Sequence, residues 1–476
     1  MARAAAGHPP CSRAGMAASP RAELLVEEFT LHVCWALSGE TLGTLHAVPG
    51  DNGQSLRLAL AGGPGEAGSL RLLLGGRLLG DKETLADVGA QDGSILEVLQ
   101  SRPCLVLTAS ADGSARCWEA KGGACLFLLE GHSDAVGTAS FSSDGNFGVT
   151  GSADGTARIW DTRSGAGLKT CRGHTDGVCA VVFSSDSQLL ASASHDGTAM
   201  VWGVADGCCK CVLKGHRGGV YDVAFAPDGC TVATASEDFT ARLWCPRSGS
   251  CSTVLEGHRA GVESVAFCPT GRLLVTASLD TDARIWEVAS GACLSALQGH
   301  EDSLGSAVFS PDGRSVASIS DDRTARVWSV ETGCCIAALR GHEDVVAACD
   351  FSPDGLTLAT VSHDGCTRLW CTASGELLWK NNWLSSAPLY AVAFSPDGAL
   401  VAVASENGIC GLLDTSNGLR LRSLMDHLNA VYRVSFCWAP AVTPTRLAGR
   451  LRDRCGGTGG GAEEGPGVGG AFIEHV

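Results

Sequence analysis

The stretch Gly173–Trp202, GHTDGVCAVVFSSDSQLLASASHDGTAMVW, is one copy of a unit that the chain restates down most of its length. Gly-His recurs at Gly131-His132, Gly173-His174, Gly215-His216, Gly257-His258, Gly299-His300 and Gly341-His342, each 42 residues after the last. Trp118, Trp160, Trp202, Trp244, Trp286, Trp328 and Trp370 keep the same step, as do Asp112, Asp154, Asp196, Asp238, Asp280, Asp322 and Asp364. After Gly-His comes an alternating segment, as in Val220–Phe225, and then a Pro-Asp-Gly or Ser-Asp-Gly turn. A small-residue run (Thr231–Ser236), a tight turn at Glu237-Asp238, a segment ending in Trp244 and another reaching Leu255 complete the copy. Period-two alternation between frequent Gly and Asp turns predicts four short strands per unit.

A fixed period of about 40–45 residues with this punctuation predicts a β-propeller built from four-stranded blades. The chain resembles the WD40-repeat family over residues 104–436. In that family the loop His, a strand Ser, the turn Asp and the Trp indole form a hydrogen-bonded chain. The resemblance carries these roles to His132–Ser152–Asp154–Trp160, His174–Ser194–Asp196–Trp202 and four further sets. The first unit has Ser110, Asp112 and Trp118 but no His; the last has His427 and none of the others. A buried Trp N–H without a partner costs about 1–3 kcal/mol. Joining the chain ends completes a seventh set, His427–Ser110–Asp112–Trp118. The expectation is therefore eight blades, with 427–436 closing onto 104–129. The alternative is seven blades (131–424) with 104–129 packed outside, which leaves a strand edge uncovered. The unit 384–424 is degenerate, with Leu384, Asn407 and Leu413 replacing His, Asp and Trp, and is expected to be the least stable.

Ahead of the repeats, residues 27–100 read as a separate small α+β domain. The predicted order is strand (Phe29–Ala36), strand (Thr41–Val48), helix (Ser55–Ala61), a strand pair within Leu70–Leu79, and a last strand (Ser94–Leu99), which is a β-grasp. The run RLLLGGRLLGDKETLADVGAQDGSILEVL resembles the second half of ubiquitin. The resemblance places Leu37, Leu73 and Leu99 at the three positions of an apolar partner-binding patch, with Glu97 where the family has histidine. The Leu99-Gln100-Ser101 exit has no diglycine terminus, so the unit reads as a built-in adaptor module that is not conjugated. Residues 1–26 read as a disordered segment, with an organelle transit peptide as the alternative, and the Gly-rich 437–476 as a disordered tail.

A formal net charge of -16 argues against a nucleic-acid or anionic-membrane binder. No apolar run approaches the ~20 residues of a membrane span. The 23 cysteines show no paired CxxC spacing. Cys125, Cys209, Cys251, Cys293 and Cys335 each fall seven residues after a repeat Trp and read as small packing residues in a reducing compartment. No nucleophile–base pair, P-loop, dinucleotide fingerprint or zinc spacing is present, so no catalytic, cofactor or metal site is expected.

Function is sought where repeat positions vary. The residue after the first apolar residue of each inner strand lies near the channel mouth in this fold; it reads Gly137, Cys179, Tyr221, Glu263, Gly305, Ala347, Tyr390 and Tyr432. The chain has three tyrosines, and all fall here. The residue before each turn Asp adds Glu237, Asp321 and, before Asn407, Glu406. The acidic, aromatic set Tyr221, Glu237, Glu263, Asp321, Tyr390, Glu406 and Tyr432 suits a basic peptide or protein loop. Separately, Trp160-Asp161-Thr162-Arg163 resembles the box by which some WD-repeat proteins join cullin–RING ubiquitin ligases, with Arg163 as the key contact. The expected role is a non-enzymatic, monomeric scaffold of the cytoplasm or nucleus, binding partner proteins on the propeller rim and the ubiquitin-like face. The alternatives are a ubiquitin-pathway substrate receptor and an assembly factor for ciliary or other large complexes.

Overall fold

The alternation within each repeat becomes four antiparallel strands, and the chain is mainly β. The computed structural model describes residues 29–35, 41–60, 70–74, 77–100, 102–382 and 387–440. The described residues fall into two units, one ending before residue 102 and the other lying within Arg102–Ala441.

In the first unit, strands Phe29–Trp35, Thr41–Ala47, Leu70–Leu74, Arg77–Leu78 and Ile95–Gln100 form one mixed sheet. Phe29–Trp35 lies parallel to Ile95–Gln100, and the other pairs are antiparallel. The one helix among the described residues, Gly53–Leu60, begins two residues before the expected Ser55 because Asn52 and Ser55 cap each other's backbone N–H groups. Its Leu56 and Leu60 pack with Leu31, Val33, Leu45, Leu70, Leu72, Leu96 and Val98. Gly53 fits at the helix start because a β-carbon there would collide with the Gly80 carbonyl.

The second unit holds eight four-stranded sheets. Seven are built from consecutive strands, such as Val220–Phe225, Val232–Ser236, Ala241–Trp244 and Cys251–Leu255. The eighth is composite: Val431–Trp438 pairs antiparallel with Cys104–Ser110, which continues to Ala115–Glu119 and Cys125–Leu129. Each sheet's first, inner strand neighbours that of the next, and Val431–Trp438 neighbours Val136–Phe141 of the first sheet. Small residues make the stacking close. Ala191, Ala193, Ala199 and Val201 of one sheet receive Val220, Val223, Val232 and Trp244 of the next. A large side chain so buried contributes about 1.5–3 kcal/mol.

Three expectations need correction. The ordered strand passes residue 436 to Trp438, where Cys437 is buried and Trp438 pairs with Cys104; the tail boundary at 437 was set too early because Cys-Trp continues the apolar pattern. Cys209, Cys251, Cys293 and Cys335 are exposed rather than packed, since each opens an outer edge strand with no fifth strand beyond it.

The third correction concerns the polar sets. The hydroxyl between His and Trp belongs to Thr108, Thr150, Ser192, Thr234, Thr276, Ser318 and Thr360, two residues before the expected serine. Trp160 Nε1–H donates to Thr150 Oγ1 at 2.9 Å, Thr150 donates to His132 Nε2 at 2.8 Å, and His132 Nδ1–H donates to Asp154 at 3.0 Å. His174–Asp196 and Trp202 meet Ser192 in the same way. Ser110, Ser152 and Ser194 serve the turn backbone instead: Ser152 accepts the Asp154 N–H and donates to the Asp134 carbonyl, and its two counterparts do likewise. The reason is register. Ser152 lies beyond Gly151, which pairs with Ala157 at the hairpin mouth, whereas Thr150 sits inside the ladder within reach of the indole. The chain-end set is joined through His427, with Thr108 in place of the expected Ser110: His427 bonds Asp112 at 3.0 Å and Thr108 at 2.8 Å, with Trp118 on Thr108 at 2.9 Å.

Candidate functional site at the channel mouth

Each of the eight inner strands slips register once against its neighbour, leaving Gly137, Cys179, Tyr221, Glu263, Gly305, Ala347, Tyr390 and Tyr432 as bulged residues. A bulge re-aims its side chain out of the ladder. All but Tyr390 line a cavity of about 500 Å³ to which all eight inner strands contribute. A backbone bond brings the turn residues beside them: the N–H groups of Glu237, Asp321 and Glu406 donate at 2.9 Å to the carbonyls of Gly219, Ser303 and Pro388, just before the inner strands.

Two clusters result. His195 stands edge-on to Tyr221, with ring centroids 5.7 Å apart. A β-carbon on Gly261 would touch the Leu279 side chain, the Glu263 carboxylate and the backbone of Glu237, whose own carboxylate accepts the Gly219 N–H at 3.2 Å. Burial raises the Glu263 carboxyl above its ordinary range, and Asp321, Glu237 and Asp222 raise it further. Tyr221 is raised by burial and then by Glu237 and Glu263. In the second cluster His363, Tyr390 and Tyr432 pack in series, with centroids 5.5 and 5.6 Å apart. Burial raises the Tyr390 hydroxyl, followed by Glu406 and Tyr432. The seven rim residues thus fall into two groups, Tyr221, Glu237, Glu263 and Asp321 against Tyr390, Glu406 and Tyr432. His363 lies between them, packed on Tyr390 and close enough to act on Asp321.

Deeper in the cavity are residues that the sequence reading missed. Asp222 accepts the Val265 N–H at 3.0 Å and Asp350 the Phe394 N–H at 2.8 Å, each tying one sheet to the next. Burial pushes both carboxyls up to about 6, opposed by those backbone bonds and by the positive charge of Arg433. The signal was available: these are charged residues within otherwise apolar or small inner strands. Among the described residues, no group of three or more His, Cys, Asp or Glu side chains is placed to hold a metal ion, and no helix is long and apolar enough to cross a membrane.

Trp160 is buried in its relay, and Asp161 accepts the N–H groups of Arg163 and Ser164 in its own turn. Arg163 is half-buried and reaches Asn146. In the first unit Leu73 is half-buried opposite Glu97; Leu37 and the Leu99 side chain lie outside the described residues, as does Leu384 of the degenerate repeat.

The repeated four-stranded sheets with their constant His–Asp relays define a class, the repeat-built β proteins. Seven segments match the model of the WD domain, G-beta repeat: 123–161, 165–203, 207–245, 249–287, 291–329, 333–371 and 381–414. The chain belongs to the WD40-repeat family, whose repeats build protein-interaction scaffolds that are typically non-catalytic. No curated protein matches the chain. Each full match starts at the outer strand of one sheet and ends at the Trp strand of the next.

Proposed function

We propose that the chain is a non-enzymatic scaffold whose eight sheets are the blades of a closed propeller, and that the channel mouth takes a basic segment of a partner protein. The observation that carries this reading is the placement of the three tyrosines. All are bulge residues of inner strands, and two of them line the cavity. Tyrosine offers a large amphipathic surface at low entropic cost, and the carboxylates of Glu237, Glu263, Asp321 and Glu406 beside it set the sign of the partner's charge. The eight-blade reading is supported by the composite sheet and by the His427–Asp112 bond that completes its relay. The first unit's strand order supports a ubiquitin-like β-grasp module that offers a second contact surface.

The test is affinity purification of the full chain against a variant with Tyr221, Tyr390 and Tyr432 changed to Ala. Partners retained by the wild type and released by moderate salt are expected to disappear from the variant, because exposed charge pairs are screened over ~8–10 Å. An unchanged partner set sinks the channel-mouth reading.

A further inference from the structure

Away from the channel, neighbouring sheets meet through one repeated contact at the outer edge. A residue of the outer strand packs on the glycine in the turn between the next sheet's third and fourth strands, as Phe127 does on Gly165, Cys211 on Gly249 and Ala337 on Gly375. The residue that opens that turn directly follows the repeat Trp; it is Asp161, Cys245 and Cys371 in these three sheets. Among the described residues, cysteine fills both places at one interface only, where Cys211 faces the turn of Cys245. The Cys211 thiol donates to the Pro246 carbonyl at 3.1 Å, so its sulfur touches the residue next to Cys245. A β-carbon on Gly249 would lie 3.1 Å from that of Cys211, and the Gly249 N–H closes the turn on the Cys245 carbonyl at 2.9 Å. Both cysteines are half-buried, so solvent reaches them.

The turn gives the two sulfurs different chemistry. Asp161 opens its own turn by accepting the Arg163 and Ser164 N–H groups at 2.8 and 2.9 Å. Trp244-Cys245-Pro246-Arg247-Ser248 repeats that arrangement with sulfur in place of the carboxylate. The Ser248 hydroxyl, then the Ser248 and Arg247 N–H groups, hold the Cys245 thiol below its ordinary pKa, and the Arg247 charge adds to them. The thiolate is the nucleophilic form of cysteine. Cys211 is pushed the other way, by burial and then by Cys209 and Cys245, and keeps its proton on the Pro246 carbonyl. More exposed thiols lack such a turn: Cys251 and Cys293 donate to the carbonyls of Thr253 and Ser295 in their own strands. Cys371 is lowered by Ser374 as Cys245 is by Ser248, but Ala337 stands where its neighbour would supply a second sulfur.

We propose that Cys245 and Cys211 form a dithiol oxidised by peroxides, with Cys245 as the sulfur that reacts first and Cys211 as the one that resolves it. The Cys245 thiolate attacks a peroxide oxygen. An S–O bond forms, the O–O bond breaks, and the other oxygen leaves as hydroxide or alkoxide and takes a proton from solvent. The Cys211 sulfur then displaces the sulfenic oxygen. The S–S bond forms, the S–O bond breaks, and that oxygen leaves as water with the Cys211 thiol proton. Two thiols lose two electrons in all, and one peroxide gains them. The product ties the outer strand Cys209–Lys214 to the turn of the next sheet. The site lies on the outer edge and does not depend on the channel-mouth reading.

The experiment exposes the reduced full-length protein to a small molar excess of hydrogen peroxide at neutral pH, with samples taken over time. Remaining thiols are blocked, and peptides are mapped by mass spectrometry without reduction, with and without dimedone to trap sulfenic acid. The Cys211–Cys245 disulfide is expected to be the first cross-link to accumulate. In Cys211→Ser the dimedone adduct of Cys245 replaces it, while in the wild type Cys371 gives an adduct and no disulfide. Ser248→Ala is expected to slow the reaction of Cys245 about threefold or more and to leave that of Cys371 unchanged, which separates lost activation from misfolding. Wild-type Cys245 reacting no faster than Cys251 and Cys293 overturns the proposal. So does a first disulfide that joins Cys245 to Cys208 or Cys209, or a Cys245 sulfenic acid that persists beside a free Cys211.

Discussion

One hydroxyl holds each relay together. Thr150 accepts from Trp160 and donates to His132, and both of those groups are buried. Because the hydroxyl hydrogen is committed to Nε2, the remaining ring proton sits on Nδ1, where it meets Asp154. Thr150→Val leaves two buried partners unpaired and is expected to cost about 2–4 kcal/mol. Removing the indole N–H as well, with Trp160→Phe, spares one of those penalties, so the double variant should be more stable than the sum of the single changes by about 1 kcal/mol. Urea unfolding of the four proteins measures the coupling; strict additivity would disprove the relay. The protein already contains a sheet in which the whole relay is replaced, with Leu384 and Asn407 at the His and Asp positions. In the seventh sheet Val403 and Leu413 stand at the Thr and Trp positions, both fully buried among apolar neighbours. Losing all the partners together is far cheaper than losing one, which is how this sheet tolerates its departure from the repeat.

At the scale of the element, the composite eighth sheet depends on one strand. Val431–Trp438 supplies the inner edge of the eighth sheet, and the loop before it supplies His427 to Asp112. A chain ending after residue 441 keeps both and is expected to melt within about 1 °C of the full protein. A chain ending after residue 425 uncovers Cys104–Ser110 and strands Asp112 and Trp118 without their histidine. It is expected to melt at least roughly 5 °C lower and to aggregate, because an unpaired inner edge is a template for another chain. Calorimetry and size-exclusion chromatography of the two truncations decide this, and equal behaviour would show that the eighth sheet does not depend on the return strand. The seventh sheet has its own support from its neighbour, since the Trp379 indole donates to the Thr415 carbonyl at 2.8 Å.

For the whole molecule, two sets of titrating groups oppose each other. In seven relays burial holds the histidine below its ordinary pKa, against the pull of its aspartate. A histidine depressed on folding contributes stability that is fully present above about 6.5 and is lost below it, as pH falls through the lower folded-state value. The cavity carboxylates run the other way: Asp222 and Asp350, raised to about 6, destabilise the fold when ionised and are relieved as pH falls through 6. Asp222→Asn keeps an acceptor for the Val265 N–H and removes the charge. It is expected to stabilise the protein by about 1 kcal/mol at pH 7.5, with the gain shrinking toward pH 4.5; the solvent in the cavity keeps the figure below the roughly 3 kcal/mol of a dry site. Unfolding curves at the two pH values check this, and an equal gain at both would show that the Asp222 charge is not under strain.

The 42-residue step was enough to predict four strands per repeat, the inner-strand bulge positions as the variable ones, and the His427–Asp112 pairing across the length of the chain. These are legible because they depend on local alternation, on turn chemistry and on a repeated polar count. The choice of Thr150 over Ser152 was not legible, because two hydroxyls on one strand differ only in their register against the indole. The exposure of Cys209 and its counterparts depends on which strand is last in its sheet. Sequence alone determined the unit and its constant scaffold, since a repeat must satisfy the same backbone and the same buried donors each time. The tertiary structure decided which varying residues meet, because Leu279 and Glu263 of one sheet come beside the Glu237 backbone of its neighbour only when the two sheets stack.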